Sequence, residues 1–144
     1  RKLIRYYACS NKKDILPLTV YKVGEKNIMS SLTSLKPDNR LVEAHKNIIN
    51  EKFTIEVKVE TLPWILENTV GGTPFHGITK IDFISIDTEG TELDVLKGFD
   101  FNKYDVKLFV VENNYDDIEI KSFMEKRGFI RDKRYKINDF YIKK

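Results

Sequence analysis

The alternation of apolar and polar positions divides the chain into short elements separated by turn-forming residues. Residues 3–9 (LIRYYAC) are aromatic and aliphatic and stop at Ser10-Asn11-Lys12-Lys13-Asp14, which predicts a strand ending in a turn. Residues 18–23 (LTVYKV) alternate and predict a second, half-exposed strand. Residues 24–40 hold serines, an asparagine and Pro37 with little periodicity, a loop long enough to be functional or mobile. In residues 41–50, Leu41, Val42, His45, Ile48 and Ile49 have helical spacing, so a short helix is one reading and a looped or extended path the other. Residues 53–59 (FTIEVKV) set Phe53, Ile55, Val57 and Val59 against Thr54, Glu56 and Lys58. That is the period of a strand with one wet side.

Thr61 is placed as an N-cap, with Pro63 in the first turn and Leu62, Ile65 and Leu66 inward, for a helix to about residue 68. Gly71-Gly72-Thr73-Pro74 and Gly77 then form a loop in which His76 reads as a surface residue. Residues 81–86 are an apolar run that turns abruptly acidic at Asp87 and Glu89. A helix over 91–97 follows, with Leu93 and Leu96 inward and Gly98 as its stop. Residues 106–111 are a second apolar strand, ending in Glu112-Asn113-Asn114. The helix starting at Asp116 or Asp117 has Ile118, Phe123 and Met124 as its buried stripe and ends at Gly128. Short strands at 129–132 and 140–143 close the chain. Strand, helix, strand, helix and a terminal strand pair predict an α/β fold. It reads as the back half of a parallel, doubly wound sheet within one domain over residues 1–144.

Composition changes this picture only slightly. The chain is 41% hydrophobic and 12% aromatic, enough for a folded core. Its net charge of +3 is mild, and the basic run at 126–136 reads as a solvated surface, so nucleic acid is not an expected partner. The single cysteine, Cys9, reads as a buried small hydrophobe, and with only His45 and His76 available no zinc site is expected. No apolar segment has the length to cross a membrane and no signal peptide is evident, so a cytoplasmic setting is expected. Tyr6, Tyr7, Trp64 and Phe99 read as core.

The chemistry gathers where the two apolar strands end. Ligands of open α/β sheets bind beyond the carboxyl ends of the strands, where Asp87-x-Glu89 and Glu112-Asn113 fall. With Glu92, three carboxylates lie within six residues, a cluster that answers to a cation, a hydroxyl or a cationic ligand. The competing reading gives Glu89 and Glu92 to the helix dipole and Glu112-Asn113 to a polar loop. Asp87 fits that reading less well, because a carboxylate ending a buried strand is costly without a partner. Ser10-Asn11 ends the first strand and is either a lining of the same edge or a plain turn. Neither a P-loop nor a G-x-G-x-x-G occurs.

The string IDFISIDTEGTELDVLKGFDF, followed by LFVVENN, closely resembles the signature of FkbM-type methyltransferases. That signature is an apolar strand ending in I-D-x-E-G, an E-L-x-V-L-x-G helix and a strand ending in V-E. The segments ACSN, VKVETLPWIL and NDFYI resemble further family elements, with Pro63-Trp64 standing where acidic residues are common. The resemblance implies a Rossmann-like class I fold and methyl transfer from S-adenosylmethionine to an oxygen of a sugar or small metabolite. It implies catalytic roles for Asp87 and Glu89, substrate contacts for Glu92, Glu112 and Asn113, a cofactor-side position for Ser10 and Asn11, and no metal. Because the family's glycine-rich first strand-loop-helix is not found, and the chain starts at Arg1, the expectation is the C-terminal two-thirds of a domain, truncated or degenerate. Cofactor binding is then expected of the complete parent, and self-association through an exposed sheet edge is expected of this chain. Two alternatives stand beside it. One is a nucleotide-sugar glycosyltransferase-like site whose Asp87-x-Glu89 holds a divalent metal, and the other is a non-enzymatic domain acting in assembly.

Overall fold

The structure is a computed structural model that describes residues 7–24, 28–30, 32–68, 77 and 79–144. The expectations for Tyr6 and His76 lie outside these residues. The first half forms β1 (Ala8–Cys9), β2 (Asp14–Val23), β3 (Ile28–Met29), α1 (Asn39–Ala44), β4 (Ile49–Glu60) and α2 (Leu62–Glu67). Both readings of residues 41–50 hold in part: α1 and a single 3-10 turn at Lys46–Ile48 are followed directly by β4. Thr61 caps α2, its hydroxyl accepting from the Trp64 amide at 3.3 Å.

The second half forms β5 (Lys80–Ile86), α3 (Glu92–Lys97), β6 (Asp105–Glu112), α4 (Ile118–Glu125), β7 (Phe129–Tyr135) and β8 (Asn138–Lys143). The long apolar runs become the strands β5 and β6, which pair in parallel with Ile84 opposite Phe109 and Ile86 opposite Val111. Parallel neighbours need a crossover, and α3 supplies it.

The fold is thus α/β, but its described strands divide between two mixed sheets rather than one parallel sheet. Their orders are β1-β4-β2-β3 and β5-β6-β8-β7. In the first, a long antiparallel β2–β4 ribbon carries β1 in parallel on its far side. Pro17 falls on β2 where, among the described residues, β4 is its sole neighbour, so its missing amide leaves no sheet bond unmade. In the second sheet, β8 joins β6 and β7 in antiparallel pairs.

One core joins these parts. Val95 and Leu96 of α3 and Ile120 and Met124 of α4 bury against Ile86, Phe109, Val111, Phe129 and Tyr141, while Cys9 of β1 and Leu62 and Leu66 of α2 pack on the same cluster. Phe99 sits in it edge-on to Phe109, whereas Trp64 is half-buried, edge-on to Tyr7 at 5.3 Å. The buried stripe of α4 is shifted from expectation. Ile118, in its first turn, is 69% exposed, and the i, i+4 pair Ile120 and Met124 faces the core instead. Gly98 does follow α3, but its φ of −83° is ordinary. A side chain there would lie 2.7 Å from both the Ser10 carbonyl oxygen and the Asn11 Cα, so the glycine is required by close packing of the β1 turn on α3. Among the described residues no helix is long and apolar enough to cross a membrane.

Candidate functional site

The parallel register that pairs Ile86 with Val111 brings the next residues, Asp87 and Glu112, out at the same edge of the sheet. Between β5 and α3 the backbone makes a tight turn, with Glu89 at φ 55° and Gly90 at φ 113°. A side chain at Gly90 would also stand 2.8 Å from the Lys36 carbonyl oxygen, so conformation and space both call for glycine. Glu92, buried at the start of α3, reaches back into this turn. Its Oε1 accepts from the Thr88 amide (2.8 Å), the Thr88 hydroxyl (3.0 Å) and the Gly90 amide (3.1 Å). The turn is thereby tied at two amides, and Asp87 and Glu89 are set on its outer side.

Asp87 is exposed, Glu89 half-buried and Glu112 only 6% exposed, and one carboxylate oxygen from each lies within 4.8 Å of the others. Among the described residues no lysine, arginine or histidine pairs with any of the three. Burial, then the charges of Asp87, Glu89 and Glu92, pushes the Glu112 carboxyl up to about 7, against a smaller opposing hydrogen bond from the Asn114 side chain. Glu89 is raised as well, by burial first and then by Asp87 and Glu92. Among the described residues the Oε2 of Glu112 has no hydrogen-bond partner, although an unpaired buried oxygen is costly.

The other expected site residues fall into different roles. Asn113, 2% exposed, donates to Asp139 at 2.9 Å and to the Asp117 carbonyl at 3.3 Å, and accepts from the Asp117 amide at 2.7 Å. Its amide is committed to holding the loop that leads to α4. Ser10 is buried and Asn11 exposed, and both lie against Gly98 at the C-terminal end of α3. The carboxylate turn is at the other end of that helix, about 9 Å away along its axis. Asp87, Glu89 and Glu112 are therefore brought together, with Glu92 beneath them, while Ser10 and Asn11 stand apart.

A cleft of about 570 Å³ opens beside Glu112 and Glu92, walled by Lys36, Arg40, Lys97 and Tyr115. The Arg40 guanidinium lies 3.4 Å over the Tyr115 ring and pairs with Asp38 at 2.8 Å, holding the Asp38 carboxyl below its usual range. Residues 24–40 read from the sequence as a loop, functional or mobile, without Arg40 or Tyr115 being singled out. The adjacent Asp38, an N-cap accepting from the Arg40 amide, was the available signal. Also unforeseen is the fully buried Asp139, which accepts from Arg134 (2.8 Å), Asn113 and Tyr141. Arg131 pairs with Asp139 and Asp116, so two arginines of the supposedly solvated basic run are structural.

A family model described as the methyltransferase FkbM domain matches residues 3–134. The chain is also similar to the methyltransferase sdnD of Sordaria araneosa, 26% identical over 131 residues, a match covering 83% of this chain and 51% of that protein. The chain thus spans about half the length of the curated relative it matches. No solved structure matches it.

Proposed function

The chain belongs to the FkbM methyltransferase family, and from that membership we propose that it serves S-adenosylmethionine-dependent methylation of a hydroxyl oxygen on a sugar or small metabolite. In this reading it forms the acceptor side of a Rossmann-like class I domain. The observation that carries the reading is the meeting of Asp87, Glu89 and Glu112 beyond the carboxyl ends of two adjacent parallel strands.

The cofactor's fit is one of charge. Acidic groups with no cationic side chain paired to them among the described residues complement a ligand bearing a sulfonium and an ammonium. When bound, S-adenosylmethionine supplies an electrophilic methyl group. Asp87, the most exposed of the three, orients the acceptor hydroxyl and takes its proton as the oxygen becomes a nucleophile. Glu89 and Glu112 fix the acceptor's position, and Glu92 and Asn113 act behind them by holding the turn and the following loop. Ser10 and Asn11 serve the cofactor side, in keeping with their separation from the carboxylates. A reducing, cytoplasmic setting suits a half-buried free thiol at Cys9.

Calorimetric titration of the complete gene product with S-adenosylmethionine tests the cofactor, and transfer of labelled methyl to a panel of sugars and hydroxylated metabolites tests the reaction. Asp87→Asn should lower kcat by about 10²-fold or more. Absence of cofactor binding with Asp87 and Glu89 intact, or undiminished turnover in Asp87→Asn, would sink the reading.

A further inference from the structure

We propose that Asp87, Glu89 and Glu112 form a binding site for one hard divalent cation of the Mg²⁺ or Mn²⁺ class. In the sequence, a divalent metal at Asp87-x-Glu89 belongs to the glycosyltransferase-like alternative, without Glu112, and the methyltransferase resemblance implies none. Three observations support the proposal. The first is distance. Two oxygens on one Mg²⁺ at about 2.1 Å from each lie no more than about 4.2 Å apart, so three carboxylates gathered close to that limit need only a small closure to share one ion. The observed group fits within 4.8 Å.

The second observation is independent of clustering. Glu112 is 6% exposed, its Oε2 accepts no hydrogen bond, and its carboxylate stands among those of Asp87 and Glu89. A buried carboxylate normally has its lone pairs satisfied by amides or a paired cation, and none of the described residues supplies that partner to Oε2 here. Asp139 shows the contrast within the same protein: it is fully buried, and two arginines, Asn113 and Tyr141 surround it. The third is chemistry. All three donors are carboxylate oxygens, without histidine or thiolate, and this set selects hard ions over zinc or copper.

The burial gradient from Glu112 to Asp87 leaves the solvent side of such an ion open to an outside oxygen. If the methyl-transfer reading holds, that oxygen is the acceptor's, and the ion seats it and eases passage of its proton to the Asp87 oxygen that the ion does not hold. That consequence rests on the proposed function, whereas cation binding rests on the carboxylates alone.

The test is Mn²⁺ titration of chelator-treated complete protein, followed by paramagnetic resonance and by thermal unfolding. Saturable uptake of one Mn²⁺ per chain, competed by Mg²⁺, is expected, with the unfolding temperature rising as the site fills. Asp87→Asn and Glu112→Gln should each weaken uptake at least about a hundredfold, at or beyond the upper end of what loss of a residue behind the ligands costs. Asp132→Asn, an exposed carboxylate on β7, should leave it unchanged. Without metal, Glu112→Gln should unfold no earlier than the parent protein, because it removes an unpaired buried charge. If it does unfold earlier, the exposed Asp87→Asn decides. No saturable uptake at millimolar Mn²⁺, or equal uptake by all variants, overturns the proposal. Cofactor titration in chelator separates the two readings: cofactor uptake without cation uptake defeats only this one, and cation uptake without cofactor uptake defeats only methyl transfer.

Discussion

Cys9 ends β1 half-buried against the main core, and burial pushes its thiol up to about 11 from an ordinary 9.0. The thiolate is the attacking form, so a rise of that size leaves about a hundredfold less of it at pH 8. Iodoacetamide should therefore label native protein about a hundredfold more slowly than unfolded protein at pH 8. The native rate should climb about tenfold per pH unit toward 11, and a flat rate between pH 7 and 9 would contradict this. At the same scale, Asp87 and Glu112 were legible because each ends an apolar run, with Glu89 two residues on, and a charge in that position needs an outside reason. Glu92 was legible as an acid but not in its role. Its hydrogen bonds to Thr88 and Gly90 depend on a backbone turn whose left-handed geometry only folding reveals.

The elements themselves follow local signals closely. The strand β5, the Thr91–Gly98 helix frame, β6 and the terminal hairpin all stand where hydrophobic periodicity put them. Errors arise where a residue answers to something distant in sequence. Gly98 marks the end of α3 as expected, yet its cause is the β1 turn packed on it. Gly98→Ala should accordingly cost about 1–3 kcal/mol, because backbone rather than a movable side chain must give way. Chemical denaturation measures this, and a neutral result would mean that the β1 turn is free to lift from α3. Arg131 and Arg134 are a second case. Their run is too charged to suggest burial, but Asp139, contributed by β8, gives it an ion-pair partner that no local pattern announces.

For the whole molecule, the class α/β was readable, but the division into two mixed sheets was not, because sheet order depends on pairings between distant strands. Among the described residues the outer edge of β5 has no partner strand. Phe83 is 64% exposed there, next to an apolar cleft of about 420 Å³ lined by Leu62, Leu66, Ile81 and Tyr104. The register continues that apolar face inward through Leu108 and Ile142 to Ile130, all half-buried. An open edge beside an apolar face favours pairing with a second copy. Sedimentation velocity on this chain should show association that grows with concentration, and Phe83→Lys should suppress it without loss of fold. A strictly monomeric parent profile at the highest soluble concentration would refute the expectation.

The turn from Asp87 to Glu92 has a consequence for how such a protein can diversify. Its shape is fixed mainly from within, by a glutamate that bonds two amides of its own six-residue segment, with outside contacts at Lys36 and Ser34. The cleft wall formed by Arg40 and Tyr115 belongs to other parts of the chain. Mutations can therefore reshape what the cleft admits while the carboxylates keep their places. Under the proposed methyl transfer, acceptor range is thus free to drift across descendants while the reaction stays the same.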